Sequence, residues 1–263
     1  MATIVTFHAH PDDEAIATGG VMAKYADEGH RVVLVVATKG EHGEVAEGFL
    51  DANETLAERR VRETEEAARR LGVARVEFLG YTDSGMMGTP ENEAADSFWQ
   101  ADVDEAASKL AALLTEERAD VLTMYDENGN YGHPDHIQVH RVGGRAGELA
   151  GTPKVYEATV NRDYLKRLMA AAPTPPPETP DAPDPDFLDT LGVTEDRITT
   201  EVDVRKFTDA KRAAMAAHAS QIGETSFFLT MPEDVFREGF GVEWFILRGA
   251  PPGTRESDLL EGL

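Results

Sequence analysis

The sequence predicts an α/β fold: a Rossmann-like, mostly parallel sheet with helices on both faces. Three observations predict it. Short apolar runs rich in β-branched residues recur along the chain, segments of helical period separate them, and glycines stand at two of the helix ends. Strand alternating with helix implies βαβ crossovers, and so parallel pairing. One domain is expected over residues 1–263, with enough apolar material for a core, since 41% of the residues are hydrophobic.

Taken in order, residues 3–7, 31–37 and 121–124 read as buried strands, and the shorter runs 76–80 and 155–160 add two more. Helical patterns fill 15–28, 54–71, 104–117 and 136–149. Gly29 and Gly72 stand where a helix must stop before the next strand. Residues 170–186, AAAPTPPPETPDAPDPD, hold half of the fourteen prolines and read as an exposed loop, either a plain linker or a lid beside the site. A strand at 198–204, a helix at 204–218 and a strand at 242–247 complete the same domain.

Composition excludes several function classes. With 25 basic against 49 acidic side chains the formal charge is −24, which argues against nucleic acid or an anionic membrane as partner. There is no cysteine, so disulfides, thiolate metal sites and a cysteine nucleophile are out. The start, MATIVTFHAHPDDE, lacks the basic region of a signal peptide, and no stretch has the ~18–20 apolar residues of a membrane span. A cytoplasmic protein is expected, with the oligomeric state left open. No P-loop, GxGxxG or GxSxG is present, so nucleotide binding and serine hydrolysis lack support.

The densest chemistry is His8-Ala9-His10-Pro11-Asp12-Asp13-Glu14, at the expected junction of the first strand and helix. In an open α/β sheet that is the carboxyl edge, where ligands bind. Three consecutive acids there call for a cation or solvent; helix capping accounts for one of them and for neither histidine. His10 and Asp13 can converge on one metal ion. A second cluster, from Tyr125 to His136, follows another strand, and His136 can supply a third ligand. The set His10, Asp13 and His136, with an open position, suits zinc, with ferrous iron the alternative. A helical pair of His136 and His140 is a weaker option, because the Glu of an HExxH motif is missing.

These parts match the needs of amide hydrolysis. Asp12, off the metal, is placed to take a proton from water. A protonated His133 can donate to the tetrahedral oxyanion, Tyr131 can hydrogen-bond the same oxygen, and Asp12 or His133 can protonate the leaving amine. Elsewhere, His30 reads as a surface turn residue, His8 as a packed histidine or a support behind the metal site, His218 as a packed histidine, and 59–62 as a solvated helix face paired with Glu63, Glu65 and Glu66.

The AHPDDE (9–14) and GHPDH (132–136) segments resemble the paired motifs of the PIG-L / LmbE-like de-N-acetylase family. GEHGEV (40–45), the helix carrying Arg60, DSGM (83–86) and AHASQI (217–222) are similar to the actinobacterial branch acting in mycothiol metabolism. That branch holds an N-acetylglucosaminyl-inositol deacetylase and a mycothiol-conjugate amidase. The resemblance implies zinc on His10, Asp13 and His136, Asp12 as general base, His133 as oxyanion stabiliser or acid, and an assisting Tyr131. It also implies Arg60 and Asp83 as sugar-binding residues, with His42 lining the pocket. The expected reaction is removal of an N-acetyl group from an N-acetylated amino-sugar glycoside, with the S-conjugate amidase as alternative and a non-catalytic metal or sugar-binding module behind it.

Overall fold

The computed structural model describes residues 1–171 and 185–263. Its strands are β1 (Thr3–His8), β2 (Arg31–Val36), β3 (Arg75–Phe78), β4 (Val121–Tyr125), β5 (Lys154–Thr159), β6 (Thr200–Asp203) and β7 (Val242–Leu247). The helices are α1 (Asp13–Ala17), α2 (Gly19–Asp27), α3 (Leu56–Leu71), α4 (Val103–Glu117), α5 (Gly129–Gly132), α6 (Pro134–Ala150), α7 (Arg162–Ala171), α8 (Pro185–Thr190), α9 (Thr208–Ala217), α10 (Phe227–Thr230) and α11 (Glu233–Phe240).

The strands form one sheet in the order β3-β2-β1-β4-β5-β7-β6. β1 to β5 pair in parallel, and β7 and β6 add an antiparallel edge. The mostly parallel sheet predicted from the sequence is therefore present. One apolar layer, with Met22, Tyr25, Leu71 and Met215, lies under α2, α3 and α9; the other, with Phe7, Leu110 and Val139, lies under α4 and α6. Burial on both faces explains why β1, β2 and β4 are continuous apolar runs without alternation. The chain leaves β1 toward β2 on one side and returns to β4 on the other. The ends of β1 and β4 thus flank the topological switch point, where a crevice opens.

The structure departs from the sequence reading in several places. The helix expected over 15–28 is two helices, broken at Thr18 (φ −133°, ψ 11°). The break exposes the first amides of α2, and Gly20 and Val21 donate to the buried Glu243 carboxylate at 2.7 and 2.8 Å. Lys211 neutralises that carboxylate from α9 at 2.6 Å. The helix expected over 204–218 begins as a tight turn, Arg205–Phe207, and is α-helical from Thr208. α6 starts at Pro134 rather than at His136, because His133 caps it and proline suits the first helical position. The proline-rich loop expected over 170–186 lies mostly outside the described residues; at its ends Ala170 and Ala171 belong to α7, and Pro185 and Asp186 to α8. Among the described residues no helix is long and apolar enough to cross a membrane.

Candidate active site

Beyond β1, Ala9 is tied to β2 by the Thr38 amide (3.0 Å) and hydroxyl (3.1 Å), both donating to the Ala9 carbonyl. The turn then passes through Asp12 at φ 96°, a strained backbone that nearby groups must hold. Glu14 accepts the Asp12 amide at 3.0 Å, and His218 lies 2.6 Å from the other Glu14 oxygen. Arg60 donates to the carbonyls of Pro11 (2.5 Å) and Gly40 (2.9 Å) and reaches the Asp12 carboxylate at 3.3 Å. Gly40 has no room for a side chain, since a Cβ would sit 2.1 Å from the guanidinium.

The second wall comes from the loop after β4. Asp126 organises it, accepting amides from Asn128 (3.1 Å) and Asn130 (2.9 Å) and the Thr159 hydroxyl (2.6 Å). Positive φ angles at Gly129, Asn130 and Gly132 reverse the chain within four residues, which brings Tyr131 and His133 back over the crevice. His133 Nδ1 then accepts the Asp135 amide at 3.1 Å as the cap of α6. His136, one turn in, stacks on Tyr125 at 4.4 Å.

At the centre, Asp13 Oδ2 lies 3.3 Å from both His10 Nδ1 and His136 Nε2. Tyr131 Oη is 3.4 Å from the same His136 nitrogen. The far side of the His10 ring, Nε2, meets Asp135 at 3.1 Å and Asp83 at 3.5 Å. Asp135 is itself held by the Ser84 amide (2.9 Å) and hydroxyl. A carboxylate on the outer nitrogen of an imidazole makes that nitrogen the proton donor and leaves the inner one a lone pair for a metal. Ligand atoms of His10, His133 and His136 also lie within 4.8 Å of one another, as do those of His10, Asp83 and Asp135.

The electrostatics ask for a cation. Burial disfavours a charged His10, yet the hydrogen bonds it donates to Asp13, Asp135 and Asp83 outweigh it and hold its pKa well above the ordinary value. Burial likewise opposes charge on Asp13, but His136 and His10 keep its pKa well below the usual carboxylate range. Two imidazole nitrogens aimed at one carboxylate oxygen, with no thiolate near, form a donor set that fits a divalent metal of zinc or iron type. Asp12 behaves differently. Burial raises it to about 6, with Arg60 opposing the rise and Asp13 adding to it. Burial, with His10 and His136 nearby, lowers His133 to about 4.

Those values revise one expectation. Burial favours the neutral form of His133, and because Nδ1 accepts the Asp135 amide, the proton of that neutral ring sits on Nε2. Any donation from His133 is that of a neutral imidazole, not of the protonated one expected from the sequence.

The remaining candidates are divided. Asp83 is buried beside His10 and accepts the amides of His42 (3.2 Å) and Gly85 (2.8 Å). The His42 side chain is exposed on its loop, and only its backbone touches Asp83. Arg60 is buried against Asp12, so 59–62 is not the uniform solvated face expected; Arg59 and Arg62 pair with Glu54, while Glu63 binds Ser220. His140 turns away from His136 to the Tyr125 carbonyl at 3.1 Å, which removes the helical His pair. His218, expected as a packed residue, is buried against Glu14 behind Asp12. Sequence reasoning missed Asp135, Ser84 and Tyr125. All three stand inside segments singled out above (Asp135 in GHPDH, Ser84 in DSGM, Tyr125 at the head of the second cluster), but only the fold shows what each of them touches.

Comparison with known proteins adds four findings. The sequence profile described as GlcNAc-PI de-N-acetylase (PIG-L) matches residues 5–146. The chain is 41% identical to a 1D-myo-inositol 2-acetamido-2-deoxy-alpha-D-glucopyranoside deacetylase of Thermobispora bispora, covering 98% of this chain and 92% of that one. It is 42% identical to the protein of the same name from Thermomonospora curvata, covering 99% and 96%. Among solved structures, N,N'-diacetylchitobiose deacetylase from Pyrococcus horikoshii superposes with a TM-score of 0.59 at 20% identity, over 95% of this chain and 84% of that one, a likeness of fold.

Proposed function

The chain belongs to the PIG-L family of GlcNAc-PI de-N-acetylases, and from that membership we propose that it hydrolyses the N-acetyl group of an N-acetylglucosaminyl glycoside. The acetamido-glucosyl inositol carried in its relatives' names is the substrate of choice. Those relatives are named deacetylases, which gives the amidase alternative no support. The observation that carries the reading is the division of two adjacent carboxylates: Asp13 faces His10 and His136, while Asp12 turns to Arg60.

His10, Asp13 and His136 would hold the metal, with zinc as its identity. Bound there, it would polarise the amide carbonyl and acidify water. Asp12, raised to about 6 by burial, is ionised at neutral pH yet basic enough to take the attacking water's proton and return it to the leaving nitrogen. Free amine and acetate are then the products. His133 offers Nε2–H to the oxyanion without a change of charge. Arg60 keeps Asp12 oriented, and Asp83 and the His42 loop form the sugar side of the crevice.

The test is amine release from the acetamido-glucosyl inositol by zinc-reconstituted protein, with Asp12→Ala as the blank. Release that depends on Asp12, from protein holding one zinc per chain, supports the proposal. Loss of zinc from Asp12→Ala would mean that the roles of Asp12 and Asp13 are exchanged, and absence of turnover on N-acetyl sugars would overturn the deacetylase reading.

A further inference from the structure

Glu14 and His218 stand 204 residues apart in the chain, both are fully buried behind the Asp12 turn, and no step above uses either side chain. Glu14 Oε2 accepts the Asp12 amide at 3.0 Å, and Glu14 Oε1 lies 2.6 Å from His218 Nε2. The other ring nitrogen of His218, Nδ1, is buried and meets no hydrogen-bond partner among the described residues, so the ring is committed to Glu14. Its backbone is anchored in turn. Just past α9 the His218 carbonyl accepts the amides of Gln221 (2.9 Å) and Ile222 (2.7 Å), and Ser220 donates its amide (2.9 Å) and hydroxyl (2.6 Å) to Glu63. Glu63 lies about one turn beyond Arg60 on α3, so one helix grips the Asp12 turn with Arg60 and the His218 segment with Glu63.

Asp12 needs such a grip. Its backbone, at φ 96° and ψ −32°, is one that a residue with a side chain keeps only when its surroundings impose it. The Pro11 carbonyl and the Asp12 N–H belong to one peptide plane and leave it on opposite edges. Arg60 holds the carbonyl edge at 2.5 Å and Glu14 the N–H edge at 3.0 Å. A hydrogen bond on one edge alone lets the plane pivot about it; bonds on both edges stop the rotation. Because that rotation is φ of Asp12, stopping it fixes the direction in which the Asp12 side chain leaves the backbone.

We infer that Glu14, backed by His218, is a positioning residue for Asp12: with Arg60 it clamps the peptide between Pro11 and Asp12 and so aims the Asp12 carboxylate. The inference rests on the reading of Asp12 as the general base. Misplacing a reacting group by about 1 Å, even from a distance, can cost about 10²-fold in rate.

His218→Phe keeps a buried ring and deletes the contact with Glu14, whereas His218→Gln keeps a side-chain N–H to offer it. Amide hydrogen exchange of the full chain, followed by NMR, should find the Asp12 amide protected in the unaltered protein and in His218→Gln. In His218→Phe it should exchange faster while the amides of β4 keep their protection. On the acetamido-glucosyl inositol, kcat should fall about 10²-fold in His218→Phe with KM unchanged, and His218→Gln should restore it. Added to Asp12→Ala, His218→Phe should cost nothing more, because the group it aims is gone. An equal loss with and without Asp12, or an Asp12 amide whose exchange His218→Phe leaves unchanged, overturns the inference and leaves Asp12 as the base. If Asp12→Ala itself keeps full turnover, the base reading fails instead. Should His218→Phe not fold, the smaller His218→Asn takes its place, and an Asp12 amide that exchanges unprotected in the unaltered protein overturns the inference without any variant.

Discussion

Replacing Arg60 by methionine keeps the apolar stem and removes the guanidinium, which separates packing from charge. Arg60 is 4% exposed and donates to two backbone carbonyls, Pro11 at 2.5 Å and Gly40 at 2.9 Å. Hydrogen bonds to a charged group contribute about 1.5–3 kcal/mol each, so two of them at the lower end come to about 3 kcal/mol. At about 2–4 °C per kcal/mol for a chain of this size, the melting temperature should fall by about 6–12 °C. The functional consequence is separable from the structural one. The guanidinium sits 3.3 Å from Asp12, whose pKa of about 6 already includes its restraint. A neighbouring cation lowers a carboxyl by about 1–3 pH units, so without Arg60 the acid limb of kcat/KM should move from about 6 toward about 8. At pH 7 the ionised fraction would drop from about 90% to about 10%, a loss of roughly ninefold that returns at alkaline pH. The assay is a pH–rate profile well below the melting temperature. An acid limb that stays near 6 in Arg60→Met would refute Arg60's part in setting Asp12.

His133→Ala should keep its zinc and lose about 10²–10³ in kcat, the usual cost of one oxyanion donor; the acid limb should stay, because burial lowers His133 to about 4, below the value of about 6 for Asp12. Lys211→Met leaves Glu243 buried without its counterion, with an expected loss of about 3–5 kcal/mol in urea unfolding, most of it recovered when Glu243→Gln is added. Glu157 is raised to about 7, chiefly by burial that its Arg248 neighbour only partly offsets. A raised carboxyl pKa means that the folded state binds the proton more tightly than the unfolded one. Stability is therefore lost as pH rises from about 4.5 through 7, and Glu157→Gln should raise the melting temperature at pH 8 while leaving it unchanged at pH 4.5; an equal gain at both would contradict the assignment.

Much of the architecture was legible because buried parallel strands carry continuous apolar runs and helices carry a period, both local properties. β1, β2, β4 and β5 lie within a residue or two of their expected bounds. The failures have local physics of their own. α1 and α2 look like one helix in the pattern, since neither Thr18 nor Gly19-Gly20 forbids it; the break is decided by Glu243, more than two hundred residues away, accepting the amides of Gly20 and Val21. Arg60 read as surface because arginines on a helix with many glutamates are commonly solvated. Its burial depends on two carbonyls in loops that the helix meets only in the folded chain.

What the sequence determined by itself was therefore the set of chemical groups and the edge of the sheet on which they gather: two His–Asp clusters, each directly after a strand. Only the tertiary structure decided which group does what. The order β2-β1-β4 sets the two clusters face to face, Asp13 falls between His10 and His136 while Asp12 falls against Arg60, and His133 loses its charge to burial. The physical reason is that a residue type carries its donors and acceptors along the chain, whereas its pKa, tautomer and partner are properties of the surroundings that folding assembles.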